Sequence, residues 1–219
     1  MFSGFLHTIL RFIYHLLYHS FAWSYDFVAA FVSLGHWNNW AREIIPFVHG
    51  NNVLELGFGP GHLQVEIIQK GLRGYGLDES PQMVRQASRR IRNKHLSATL
   101  VRGLAQQLPF QTYFDCVVTT FPSEYIFNPI TIKEIYRVLV PGGKLVMLLT
   151  AMPGNQNLLT KLYERAFQLA YRGKSPVENR LEEIIQIYKM EGFRIRKTYL
   201  ERKFVTLLLL IGEKSIEGN

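Results

Sequence analysis

Short apolar segments with strand character alternate with amphipathic helical patterns through the middle of this chain. Val53 to Leu56 runs into three glycines at alternate positions, after which Leu63 to Ile68 repeats apolar residues at helical spacing. The chain returns as a second short strand, Arg73 to Asp78. Ser80-Pro81 then opens another helix, with serine as N-cap and proline at the first helical position. This alternation of strand and helix predicts an α/β fold.

Five further apolar runs bounded by turn residues complete the predicted sheet, and the last two are predicted as a closing antiparallel pair. In chain order these segments are Ala98 to Arg102, Phe114 to Thr120, Gly143 to Thr150, Phe193 to Arg202 and Phe204 to Gly212. Two tail helices are predicted over Gln156 to Tyr171 and from Pro176 to near Gly192. The sequence therefore predicts a doubly wound, seven-stranded, mostly parallel sheet.

Residues 1–34 are unusually apolar and aromatic. As a helix, this segment has one narrow polar face, whose positions are His7, Arg11, His15 and His19. A membrane span needs about 20 apolar residues without charge. The stretch between Arg11 and Asp26 is shorter, so no span is predicted. A signal peptide is not predicted either, because no cationic start precedes the apolar run and no small-x-small cleavage site follows it.

Two interpretations of the N-terminal helix stay open. It is either a cap packed over the substrate pocket or a helix lying in a membrane interface, where its tyrosines and Trp23 suit the headgroup level; both can hold at once. A second cap helix is predicted over Asp26 to Trp40. Residues 1–50 are accordingly predicted as a helical cap, with residues 1–24 as the candidate membrane-surface helix, and residues 51–219 as the core domain.

Composition adds limits on partners and compartment. A chain of 219 residues with 47% hydrophobic residues can bury one good core and leaves little room for a second domain. The formal net charge of +8 favours anionic partners, meaning nucleic acid, anionic lipid or an acidic substrate. Cys116 is the single cysteine, so no internal disulfide is possible and a reducing, cytoplasmic location is expected. It lies in a predicted strand, where core packing is expected.

The glycine turn carries the first candidate chemistry. Glycines 57, 59 and 61 let the backbone pass close to a ligand, and the helix that follows offers free N–H groups. Asp78, about 20 residues beyond the first glycine, suits the two hydroxyls of a ribose. His62 stands where a dinucleotide fingerprint needs its third glycine. Glu55 would repel a pyrophosphate but suits an ammonium group, such as that of S-adenosylmethionine.

Five landmarks in order and spacing resemble the class I S-adenosylmethionine-dependent methyltransferases, over roughly Val53 to Thr150. The stretch Val53 to Gln64 is similar to their motif I, and Tyr75 to Asp78 with Ser80-Pro81-x-Met83 resembles their second motif. The other landmarks are Gln107-Leu108-Pro109-Phe110, Asp115-Cys116-Val117-Val118, and Arg137 to Leu145 with its Pro-Gly-Gly. The resemblance implies a Rossmann-like core with an N-terminal helical cap.

The resemblance also implies roles for single residues toward the cofactor. Glu55 and the turn of Gly57, Gly59 and Gly61 would hold the methionine end, and Asp78 the ribose. The adenine would lie against Met83, Leu104 and Ala105, although many relatives have an acid where this chain has Leu104. Tyr25 is expected to reach the cofactor's carboxylate, with aromatic packing as the alternative for that side chain.

The segment Thr119 to Tyr125 follows the fourth strand, at the edge where doubly wound folds place their chemistry. Glu124 is the candidate general base for an amine, hydroxyl or activated carbon, with Tyr125 and Ser123 positioning it. The alternative for Glu124 is a surface or helix-capping role. Amino-directed methyltransferases that act on nucleobases commonly carry Asn/Asp-Pro-Pro-aromatic here. This chain has Phe-Pro-Ser-Glu, which disfavours base methylation.

Three functions follow from these features. The first is methyl transfer to a small or lipid-like acceptor, a phospholipid headgroup amine or a quinone-type ring, at or near a membrane surface, with the inner face of a membrane as the expected location. The second is an RNA methyltransferase that uses basic patches on phosphates. The third is a catalytically inactive, cofactor-binding protein held at the membrane. The helix after Ser80 is rich in basic residues, either as a solvated face or toward phosphates. No metal site is predicted, and the sequence does not specify an oligomeric state.

Overall fold

A computed structural model describes residues 37–153, 181–203 and 205–215 of the chain. The predictions on residues 1–24, Tyr25 and the helix over Gln156 to Tyr171 lie outside these residues. The chain divides into two compact units, residues 1–40 and residues 41–219. Only residues 37–40 of the first unit are described. The predicted domains, 1–50 and 51–219, stay a prediction.

Seven strands form one sheet in the order β3-β2-β1-β4-β5-β7-β6. The strands are β1 (Asn52–Leu56), β2 (Arg73–Asp78), β3 (Thr99–Arg102), β4 (Phe114–Thr120), β5 (Leu139–Pro153), β6 (Phe193–Glu201) and β7 (Val205–Lys214). The first five strands pair in parallel, and β7 pairs antiparallel with both β5 and β6. The predicted α/β, Rossmann-like, mostly parallel sheet is confirmed, including its antiparallel closing pair.

Helices connect these strands. They are α1 (Trp37–Arg42), α2 (His62–Gln69), α3 (Pro81–Asn93), α4 (Pro129–Val138) and α5 (Leu181–Met190), with short 3-10 helices over Ile45–Phe47 and Glu124–Phe127. The α3 N-terminus forms as predicted, because the Ser80 hydroxyl accepts the Met83 N–H. The sequence interpretation did not identify α4 or the 3-10 helix at Glu124. None of the described helices is long and apolar enough to cross a bilayer.

The fifth strand is longer than the predicted Gly143 to Thr150. Leu139 already pairs with Phe114, and the register then shifts so that Lys144 pairs with Cys116. The Pro-Gly-Gly turn therefore lies inside β5 as an irregularity rather than before it. At its other end β5 continues to Pro153 along β7, beyond the last residue of β4. A longer antiparallel partner thus extends the strand.

Helices cover the sheet, and the side chains of β1 show that its two faces have different surroundings. Leu54 and Leu56 belong to one hydrophobic cluster with buried residues of α4 and α5, such as Ile132 and Tyr188. Side chains alternate along a strand, so Glu55 points to the opposite face. Cys116 is fully buried, as predicted. The carboxyl ends of β1, β2 and β4 then form one edge of the sheet, where the candidate residues lie.

Candidate active site

The turn between β1 and α2 has the backbone conformation that its glycines favour. Gly59 has φ +53°, in the left-handed region, and a Cβ built on it would meet no atom of the described residues within 4 Å. Gly61 is constrained differently, since its Cβ would lie 2.7 Å from the Ala87 Cβ of α3. The Arg90 guanidinium also donates to the Pro60 carbonyl. The turn is therefore packed against α3 at Gly61 and leaves open space at Gly59 for a ligand to approach the backbone.

Asp78 ends β2 beside this turn. One carboxylate oxygen accepts the Gly59 N–H at 2.9 Å and the other accepts the Ser80 N–H at 2.9 Å. Burial raises the pKa of Asp78, and these two hydrogen bonds oppose that shift. Each carboxylate oxygen has a second lone pair, so the side chain can still accept hydrogen bonds from two hydroxyls. The structure brings Asp78 and the glycine turn together, and its ribose role stays a prediction.

Glu55 is a buried acid under the turn, with 2% of its surface exposed. Burial raises the pKa of Glu55 to about 8; the Gln64 amide lowers it and the Asp78 charge raises it further. Its Oε2 atom has no hydrogen-bond partner among the described residues. A buried acceptor left without a donor costs about 1–3 kcal/mol. A ligand's ammonium would donate to this oxygen and remove that cost, so this position fits the cationic end of S-adenosylmethionine.

Gln64 is a buried polar residue near the site that the sequence interpretation missed. Its amide nitrogen donates to the Tyr75 carbonyl at 2.9 Å, while its Oε1 is buried without a partner among the described residues. The signal was available, because at helical spacing Gln64 falls between Ile67 and Ile68 on the apolar face of α2. A glutamine buried beside a buried acid adjusts the pKa of that acid.

The three predicted adenine contacts lie in different environments. Met83 and Ala105 are buried, whereas Leu104 is 55% exposed. The loop that carries Leu104 and Ala105 is drawn toward β2, because the Gly103 N–H donates to the Asp78 carbonyl at 3.1 Å. An exposed apolar side chain at this edge can cover a planar ring. The contacts of all three residues with adenine stay predictions.

Tyr125 is tied to the end of β1. Its hydroxyl donates to the Leu56 carbonyl at 3.1 Å and lies 3.1 Å from the Thr119 hydroxyl, which donates to the same carbonyl at 2.9 Å. A Cβ built on Gly57 would lie 2.8 Å from the Tyr125 oxygen. Two side chains separated from Leu56 by more than sixty residues thus meet at one carbonyl. This places Tyr125 beside the glycine turn, and its role at the site stays a prediction.

Glu124 and Phe121 complete the segment after β4. Glu124 is exposed and is the first residue of the 3-10 helix. Phe121 has φ +48°, which a residue with a side chain rarely adopts, and its N–H donates to the Leu148 carbonyl at 2.7 Å. Such backbone strain costs about 1–3 kcal/mol and clusters at functional sites. No residue-type signal marks Phe121 in the sequence. Glu124 stays the predicted general base.

The described residues contain no grouping of histidine, cysteine and acidic side chains that would hold a metal ion. Their arrangement offers an open glycine turn, a carboxylate for hydroxyls, a buried acid for a cation and an exposed acid at the neighbouring strand end. These groups suit recognition of a nucleoside with a charged amino tail and removal of a proton from a second molecule.

Comparison with known proteins places these features in context. A family model described as a methyltransferase domain matches residues 53–143. The demethylmenaquinone methyltransferase of Lactiplantibacillus plantarum is 30% identical over 69% of this chain and 68% of its own length. The ubiquinone/menaquinone biosynthesis C-methyltransferase UbiE of Blochmanniella floridana is 32% identical over 68% of this chain and 62% of its own length. The chain spans about three fifths of the length of several such relatives.

Solved structures share the fold. A methyltransferase dependent on S-adenosylmethionine from Methanosarcina mazei superposes with a TM-score of 0.58 at 22% identity, covering 80% of this chain and 98% of that one. Phosphoethanolamine N-methyltransferase 2 from Haemonchus contortus, in complex with phosphomonomethylethanolamine and S-adenosylhomocysteine, superposes with a TM-score of 0.64 at 18% identity, covering 91% and 59%. At these identities the likeness concerns the fold.

Proposed function

This chain belongs to the class I S-adenosylmethionine-dependent methyltransferases, and we propose that it transfers a methyl group to a small, lipid-like acceptor at or near a membrane surface. Family membership confirms the predicted enzyme class and cofactor. A quinone-type ring or a phospholipid headgroup amine is the acceptor that the proposal names. The cofactor part of the proposal rests on one arrangement: a buried acid, a ribose-type carboxylate and an open glycine turn at one sheet edge.

The residues of the turn fit the cofactor. The unpartnered oxygen of Glu55 would accept from the ammonium group, and Asp78 would accept from the ribose hydroxyls. Open space in front of Gly59 leaves room for the backbone to contact the methionine end. When bound, S-adenosylmethionine supplies a methyl group carried on a positively charged sulfur. A nucleophile attacks this methyl group in line with the carbon–sulfur bond, and the sulfur leaves as a neutral thioether.

The segment after β4 would receive the acceptor. Glu124 is exposed at the end of β4, where it would take the proton that the acceptor atom loses on methylation. Tyr125 would keep this segment in register with the glycine turn through the Leu56 carbonyl. Alignment of the two molecules supplies most of the acceleration for a displacement of this kind. The chain's contribution is therefore mainly positioning.

The choice of acceptor class is supported by the relatives. Relatives at about 30% identity include a ubiquinone/menaquinone biosynthesis C-methyltransferase and a demethylmenaquinone methyltransferase, and the Haemonchus contortus neighbour is named for phosphoethanolamine. The apolar, aromatic residues 1–24 are a second argument, from sequence, for action near a membrane.

Labelled S-adenosylmethionine incubated with total lipid and RNA extracts, with and without the protein, tests the acceptor. Label in a quinone or phospholipid fraction, identified by mass spectrometry, is the expected result. Label in RNA alone would overturn the lipid-like acceptor. Cofactor binding by calorimetry without label in any fraction would favour the catalytically inactive alternative. Loss of vesicle binding on deletion of residues 1–24 would support the membrane-surface helix.

A further inference from the structure

Helix α3 has two faces of different chemistry. Its buried residues, Met83, Ala87 and Ile91, recur every four positions and fix the helix against the fold. Arg85, Arg89 and Arg92 are exposed; at the helical repeat they fall within an arc of about 60° opposite the buried face. We call these three residues the arginine stripe. It is about 10 Å long, given the rise per residue of an α-helix.

The charge of the arginine stripe is not neutralised within the helix. The sequence of α3 contains no acidic residue, and none of the ion pairs found among the described residues involves the stripe. Arg85 and Arg89 are four residues apart, and Arg89 and Arg92 are three apart, so each neighbouring pair repels. A helix gains nothing in stability from this arrangement by itself.

Arg90 provides an internal comparison. It lies off the stripe, is partly buried, and donates to the Pro60 carbonyl in the glycine turn. This hydrogen bond gives Arg90, the arginine of α3 that faces the protein, a structural role. The helix dipole favours Arg92 in the last turn, but it does not favour Arg85 in the first half of the helix. Within the described part of the chain, the stripe as a whole has no such internal explanation.

From this geometry we infer that the arginine stripe is a docking surface for the phosphate groups of an anionic phospholipid bilayer. Guanidinium groups bind phosphate oxygens through paired hydrogen bonds. The exposed face of α3 carries no aromatic residue on which a nucleobase could stack, which disfavours single-stranded RNA. A bilayer presents many phosphates to a short, straight row of cations. This inference concerns a second surface and does not depend on the acceptor.

The test is vesicle binding by the full chain. Each basic residue near an anionic membrane strengthens binding about fivefold, so the triple variant Arg85→Gln, Arg89→Gln, Arg92→Gln should bind phosphatidylglycerol-containing vesicles about 100-fold more weakly. A control with the same charge change, Arg194→Gln, Arg196→Gln, Lys203→Gln, is made near the opposite end of the sheet, around edge strand β6. The control should weaken binding less than about fivefold. Pure phosphatidylcholine vesicles should bind every variant weakly.

Three further measurements make the outcome decisive. Circular dichroism should show that both triple variants fold, because the substituted side chains are exposed. Affinity for S-adenosylmethionine should be unchanged, which separates failure of this inference from failure of the proposed function. Equal losses in the two triple variants would overturn the stripe as a specific surface. Unchanged vesicle binding together with weaker binding to duplex RNA would show that the stripe serves RNA instead.

Discussion

The turn after β1 and the segment after β4 lie at the same edge of the sheet, because these two strands are parallel neighbours. The turn presents backbone in left-handed glycines, whose N–H groups donate to Leu77, Asp78 and Phe58, together with two acids from β1 and β2. The segment after β4 presents side chains, with two hydroxyls on the Leu56 carbonyl and a strained Phe121. The proposed cofactor half is thus built mainly from local geometry, and the proposed acceptor half from contacts between distant parts of the chain.

The two regions meet at the end of β1. Leu56 follows Glu55 in sequence, and its carbonyl is the acceptor for Thr119 and Tyr125. A shift in the segment after β4 would therefore move the backbone one residue away from Glu55, the proposed ligand of the ammonium group. The comparison predicts that substitutions in the turn change cofactor affinity, whereas substitutions after β4 change catalysis or acceptor binding.

The largest expected effect is on the cofactor side. Asp78→Ala should weaken S-adenosylmethionine binding about a thousandfold, because two hydrogen bonds from hydroxyls to a charged acceptor are lost. Isothermal titration calorimetry gives the affinity. Asp115→Ala is the matched control, since its carboxylate also accepts two backbone N–H groups, from Asn51 and Asn52, but at the amino end of β1.

Asp115→Ala should lower stability and leave the cofactor affinity unchanged. Equal losses of affinity in the two variants would mean that Asp78 acts on the fold, and the ribose assignment would be wrong.

Glu124 tests the acceptor side. Glu124→Gln should lower kcat about 100-fold, the lower range for loss of a general base, with S-adenosylmethionine affinity unchanged. Steady-state kinetics with the acceptor identified by labelling measures this. Glu201→Gln, at an exposed acid on edge strand β6, is the control and should keep full activity. An unchanged kcat in Glu124→Gln would assign Glu124 to the surface of its 3-10 helix.

The pH dependence of cofactor affinity tests Glu55. Burial raises the pKa of Glu55 to about 8, so the carboxyl is neutral at pH 7 in the free protein. An ammonium ligand needs the ionised form, and affinity should rise by about tenfold per pH unit at most as pH approaches the pKa. In Glu55→Gln this rise should vanish. The ligand's own titration is the same with the wild type and with Glu55→Gln, so the ratio of the two affinities reports Glu55 alone. A ratio that does not change with pH would refute Glu55 as the ammonium ligand.

The same carboxyl predicts a stability effect of known sign. Between the pKa of 4.5 expected for the unfolded chain and about 8 in the folded protein, the folded state holds a proton that the unfolded chain releases. The contribution of this bound proton to the stability of the fold is complete below pH 4.5 and is lost as pH rises through about 8. Melting temperatures should show Glu55→Gln gaining on the wild type from pH 5 to pH 8.5.

The smallest effect is expected at Tyr125. Tyr125→Phe removes one hydrogen bond to the Leu56 carbonyl, while Thr119 keeps another, so the loss of stability should be about 1 kcal/mol. The KM for the acceptor should rise a few fold. Tyr199→Phe, at an exposed tyrosine, should change neither quantity. A fall in kcat as large as that in Glu124→Gln would make Tyr125 a catalytic residue instead of a positioning residue.

The sequence alone determined the family, the order of the strands along the chain, and the glycine turn and Asp78 that are predicted to hold the cofactor. Strands β2 and β4 begin and end where the apolar pattern predicts, because strands buried on both faces read as compact apolar runs. The glycine turn could be predicted from the sequence equally well, since its conformation depends on residues that lie next to one another. Asp78 follows from the spacing of one strand-helix-strand unit.

Only the tertiary structure decided the features that depend on distant partners. The extra length of β5 comes from its pairing with β7, and the burial of Gln64 beside Glu55 comes from α2 packing on the sheet. The hydroxyl pair on Leu56 joins residues more than sixty positions apart. Residue type and spacing carry no record of such contacts, because they form only when the strands take their places in the sheet.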